Sequence, residues 1–71
     1  MKYAVILERG PTSFGAWVPD LPGCVAVAET EAEALQLIHE AVDLHLMELK
    51  SAGEEVPSPS TRVTFIEVGQ V

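Results

Sequence analysis

The chain has 71 residues, 48% of them hydrophobic, and a formal net charge of −7 from eleven acids against four bases. A single domain of this size buries only about 60% of its unfolded surface, so it needs a disulfide, a metal or self-association to be stable. Its one cysteine excludes an internal disulfide, Cys24, His39 and His45 lack metal-ligand spacing, no run nears a membrane span of roughly 20 residues, and the acidic surface repels nucleic-acid phosphates; self-association remains.

The N-terminal segment "KYAVILE" is rich in strand formers, and its apolar run is too short for an export signal, which places the chain in the cytoplasm. A first strand is therefore expected over residues 2–8. Gly10 and Pro11 in "RGPTS" mark a turn, and "FGAWV" (residues 14–18) reads as the second strand of a hairpin. Within it Trp17 faces away from Phe14, Ala16 and Val18.

Pro19 closes that strand, since proline gives no donor to a ladder. In "VPDLPGC" (residues 18–24), Pro22 and Gly23 suit the centre of a type II turn. "CVAVAE" (residues 24–29) is the third strand. Thr30 with Glu33 then matches a capping box and opens a helix from Glu31 to about Ala52, with Gly53 as its C-terminal cap. A proline-bearing loop, "EEVPSPS", follows. "RVTFIEV" (residues 62–68) reads as a fourth strand, expected to pair with the first.

The order is β-β-β-α-β: an α+β unit with a small antiparallel sheet and one long helix packed on one face. Residues 1–71 form a single domain in this reading, with no separate DNA-binding domain. The helix carries a broad apolar stripe through Ala34, Leu35, Ile38, Ala41, Val42, His45, Leu46 and Leu49. Leu37 and Leu44 widen it on one flank. Either these edges are simply exposed, or Leu37, Leu44 and Met47 meet another subunit; the small core favours a homo-oligomer.

Few residues offer chemistry. Cys24 begins a strand of small residues and reads as an inert core thiol rather than a nucleophile. His45 sits in the apolar stripe and His39 at its edge, so the two do not converge on a metal. Asp20 either caps N–H groups of its own turn or presents a charge to a partner. Trp17 is core or an exposed aromatic depending on which sheet face is covered. A single helix leaves one face open, and Trp17, opposite Phe14, Ala16 and Val18, is expected at a subunit or partner contact, with Asp20 and Leu21 of the adjoining corner as partner-binding neighbours. Glu8, Glu33 and Glu67 are the available carboxylates for a metal nuclease, but they share no motif, so the chain is not read as an enzyme. The glycines are too scattered for a phosphate loop, and no cofactor is expected.

"GAWVPDLPGC", "TEAEAL", "HEAVDLHL" and "GEEVPSPS", in this order, resemble the HicB antitoxin family over about residues 3 to 60. Where that family has G-D-T before the helix, this chain has Ala28, Glu29 and Thr30. The resemblance implies a partial ribonuclease-H-like fold. It also implies a role: binding and neutralising a small basic toxin, a HicA-like mRNA interferase with a double-stranded-RNA-binding-like fold. An acidic protein covering a basic RNA-binding face is electrostatically sensible. The alternative is a solitary oligomeric domain that binds a small ligand or another protein.

Overall fold

Three short strands and one long helix make up the regular structure: β1 (Ile6–Arg9), β2 (Phe14–Trp17), β3 (Val25–Ala28) and α1 (Glu31–Ser51). The computed structural model describes residues 1–70. The strands form one antiparallel sheet in the order β1-β2-β3. Leu7 pairs with Ala16, and Ala16 with Ala26; Ile6 pairs with Trp17, and Trp17 with Val25. Paired residues point to the same face, so Leu7, Ala16 and Ala26 face the helix while Ile6, Trp17 and Val25 face away from it. The expected α+β class and strand-strand-strand-helix order hold.

Local chemistry accounts for the connections. The Gly10 N–H donates to the Ser13 carbonyl at 2.8 Å and closes the β1–β2 turn. Between β2 and β3 two turns follow each other: Leu21 N–H donates to the Val18 carbonyl and Cys24 N–H to the Leu21 carbonyl, both at 3.1 Å. Gly23 sits at φ +84°, the left-handed value that the third position of a type II turn demands. The Thr30 hydroxyl accepts the Glu33 N–H at 3.1 Å and caps the helix start. At the other end Gly53 has φ +71°, its N–H donates to Lys50, and the Glu54 N–H donates to Leu49. That pair of bonds is a Schellman cap, which satisfies carbonyls the last turn leaves free.

The helix packs against β2 and β3. Alternation on the strands and the helical stripe meet in a core of Ala16, Val18, Leu21, Cys24, Ala34 and Ile38. Half of that core comes from residues 18–24, so the corner is a structural anchor. Leu21 is completely buried, although it lies between two prolines in a turn. Complete burial of a leucine contributes roughly 1.5–3 kcal/mol.

Two strand expectations are corrected. Residues 2–5 continue β1 beyond the point where β2 turns away at Val18, so they have no ladder partner on that side. Residues 62–68 form no strand. They run exposed, with Phe65 91% and Ile66 83% accessible. A lone extended segment has nowhere to place its backbone N–H and C=O groups within a sheet, and none of the three strands receives it. The molecule is accordingly long, 50 × 27 × 16 Å, with a radius of gyration of 14.3 Å. A compact chain of this length has a radius of gyration of about 11 Å.

Candidate functional site

The corner between β2 and β3 places the three expected partner contacts in different settings. Leu21 is core and unavailable to a partner. Asp20 is committed within the chain. Its Oδ2 accepts the backbone N–H groups of Ser60 (2.9 Å) and Thr61 (3.0 Å). Its Oδ1 accepts the hydroxyls of the same residues, at 3.1 and 2.7 Å. The donors thus lie some forty positions away in sequence and not in the turn itself, which corrects the local-cap expectation. The Thr61 N–H contributes most to holding the Asp20 carboxyl down at about 2, followed by the Thr61 hydroxyl and the Ser60 N–H.

Trp17 remains partly open, at 38% exposure, on the sheet face without a helix. Its indole N–H donates to Glu8 Oε1 at 3.0 Å across the β1–β2 pair. Val25 and Val27 beside it are largely exposed. This face is therefore an apolar strip with one oriented aromatic ring.

The outer side of α1 is the second open surface. Leu37, Leu44 and Met47 are exposed along it. Residues three and four apart are neighbours on a helix, which sets Glu33 and Glu40 beside Leu37, Glu40 and Glu48 beside Leu44, and Asp43 beside Met47. The net charge arises in and around this helix. Residues 29–55 hold eight of the eleven acids and one of the four bases, so they carry the entire net −7, and the rest of the chain is neutral. Knowing the helix limits is what turns that count into a surface. Of its acids, Asp43 stands 3.6 Å from His39 on the exposed side.

Among the described residues, the titratable side chains that the sequence singles out lie apart. Cys24 is buried, and burial pushes its thiol up, away from the thiolate a nucleophile needs. Cys24 and His45 border a shallow cleft with Leu44 and Glu48. Glu8, Glu33 and Glu67 lie on β1, on α1 and in the exposed tail respectively, so they do not form a shared site. Among the described residues, no three His, Cys, Asp or Glu side chains gather as a metal site, and no helix is long and apolar enough to cross a membrane.

Residues 3–68 match a family model described as the HicB-like antitoxin of bacterial toxin-antitoxin systems. An uncharacterised 14.9 kDa protein of Haemophilus phage HP1, from its rep-hol intergenic region, is 32% identical over 66 residues. That match takes in 93% of this chain and 50% of the phage protein, so the chain spans about half of that relative's length. A UPF0150 protein of Thermoplasma acidophilum is 38% identical over 58 residues, covering 80% of this chain and 84% of its own. A UPF0150 protein of Archaeoglobus fulgidus is 30% identical over 70 residues, covering 97% of this chain and all of that one.

Proposed function

The chain belongs to the HicB-like antitoxin family, and from that premise we propose that it is an antitoxin subunit that binds a small basic mRNA-interferase toxin of the HicA type and keeps it from RNA. The carrying observation is the concentration of the whole net charge of −7 in residues 29–55, on and around α1. A surface of one sign raises the encounter rate with a partner of the opposite sign and repels RNA itself. Leu37, Leu44 and Met47 supply an apolar centre and Glu33, Glu40, Asp43 and Glu48 its charged rim, the usual anatomy of a protein interface.

This arrangement favours a basic partner over a second copy at the same face. Two copies meeting through Leu37, Leu44 and Met47 would bring their acidic rims together. Trp17 and the open sheet face remain a second, apolar contact. In this reading RNA cleavage belongs to the toxin, no catalytic step to this chain, and the meeting takes place in the cytoplasm, where mRNA is. Nucleic acid touches the complex only through the toxin.

The test is a pull-down from the native lysate at low salt, followed by an RNA-cleavage assay on the protein retained. A small basic protein at near-equal stoichiometry, whose cleavage of RNA stops on adding the chain, is the expected result. Glu40→Lys with Asp43→Lys should then slow association at least about tenfold at low salt, since steering accounts for that much or more. Recovery of the bait alone, or of a ribonuclease that the chain leaves active, would defeat the antitoxin reading and leave the solitary ligand-binding domain as its replacement.

A further inference from the structure

The sheet has two open edges, at β1 and β3, and the chain has an unpaired segment with a strand pattern. β1 is hydrogen-bonded to β2 on one side only. At that outer edge a groove of about 320 Å³ opens between Tyr3 and Val5 of the extended lead-in to β1 and Leu35, Ile38, Val42 and Leu46 of α1. Its walls are mostly apolar, with His39 and Asp43 of α1 also bordering it, and the molecule leaves it unfilled. A strand laid beside β1 would place every second side chain into it.

The tail has the required pattern. Val63 and Phe65 alternate with Thr64 and Ile66, and Val63, Phe65, Ile66 and Val68 are all largely exposed. The residues before it point it elsewhere. Tyr3 Oη donates to the Pro57 carbonyl, Asp20 holds both Ser60 and Thr61 by backbone and hydroxyl, and Pro57 and Pro59 stiffen the link. The root of the tail is thereby fixed on the body while residues 62–70 extend away from it, which accounts for the 50 Å length. Short, stiff links of this kind direct an element to a neighbouring copy rather than back to its own.

We propose that two copies of this chain exchange residues 62–68, each tail forming the fourth strand on the outer edge of the other's β1 and seating Val63 and Phe65 in its groove. The second copy is the fitting occupant because the same chain supplies both halves of the contact: of its two open edges only β1 is flanked by the unfilled groove, and each copy carries one strand-patterned segment to fill it. A two-fold exchange satisfies both and leaves no open edge at β1. It restores the β-β-β-α-β order between copies instead of within one. It also leaves Leu37, Leu44, Met47, Glu33, Glu40 and Glu48 free, Asp43 alone of that acidic face bordering the groove, so it stands whether or not the toxin assignment does.

Sedimentation or light scattering of the full chain should give a dimer at micromolar concentration. Phe65→Glu with Ile66→Glu should halve that mass while leaving the helical circular dichroism unchanged. A second measurement does not depend on that variant folding. Leu7→Cys protein is mixed with Phe65→Cys protein and treated with a short bismaleimide, and the two should join across copies into a covalent dimer. The double variant carrying both cysteines, at high dilution, should give no cross-link within one chain. A monomeric wild type, a dimer mass untouched by the tail substitutions, or a cross-link closing within a single chain would each overturn the exchange. The last outcome would put the tail in its own groove.

Discussion

Residues 18–24 and residues 62–68 are both seven-residue, apolar-rich segments, and they end in opposite conditions. The first turns twice within itself, satisfies its backbone locally and sinks Leu21 completely. The second is extended, unpaired and almost wholly exposed. Hydrophobic content does not separate them. Turn chemistry does: a turn finds its hydrogen-bond partners a few residues away, whereas a strand depends on a partner from elsewhere.

The largest test of this contrast is Leu21→Ala. Removing a fully buried leucine side chain should lower stability by about 2–5 kcal/mol in urea unfolding. A loss no bigger than that of an exposed leucine would show that the corner is not the anchor of the core. Gly23→Ala comes next, because a side chain at φ +84° is strained whatever the surrounding space. The expected loss is about 1–2 kcal/mol, and an unchanged midpoint would mean that the turn is free to rearrange.

Asp20 ties the two regions together and gives the contrast a pH dependence. Its folded carboxyl sits at about 2, below the ordinary value of 3.8. The tether is therefore fully present above pH 4 and is lost as pH falls through about 2. Amide resonances of Ser60 and Thr61 should titrate together in that window, and Asp20→Asn should abolish the step. Titration near pH 4 would show a carboxylate without those four bonds. The smallest effect is expected from Phe65→Ser. At dilutions where the protein is monomeric, it should shift stability by no more than about 0.5 kcal/mol, as for other exposed sites. A larger loss there would mean that the tail packs on its own domain.

Much of this was readable from the residues alone because it is local. Thr30 with Glu33 fixed the helix start, Gly53 its end, and Pro22-Gly23 the turn. The alternation of Phe14, Ala16 and Val18 put Trp17 on the opposite face, and the position of α1 shows which of the two is covered. What escaped was non-local. A leucine between two prolines reads as a turn residue, and only the position of α1 makes it the centre of the core. Asp20 carries no mark of Ser60 and Thr61 as its donors. Residues 62–68 carry a strand pattern but no statement of which edge accepts it. The acidic outer surface of α1 lay in the open, since the charge of residues 29–55 needs only the helix limits to become a face.

Cys24 gives the corner a clock. The lone thiol is 4% exposed, with its ionisation pushed up by burial. A thiol reagent in solution must wait for β2, β3 and α1 to part before it reacts. The labelling rate is then the opening equilibrium multiplied by the intrinsic reactivity of a free cysteine. One native residue, with no substitution needed, reports how often the heart of the domain exposes itself, and whether a bound partner makes that rarer.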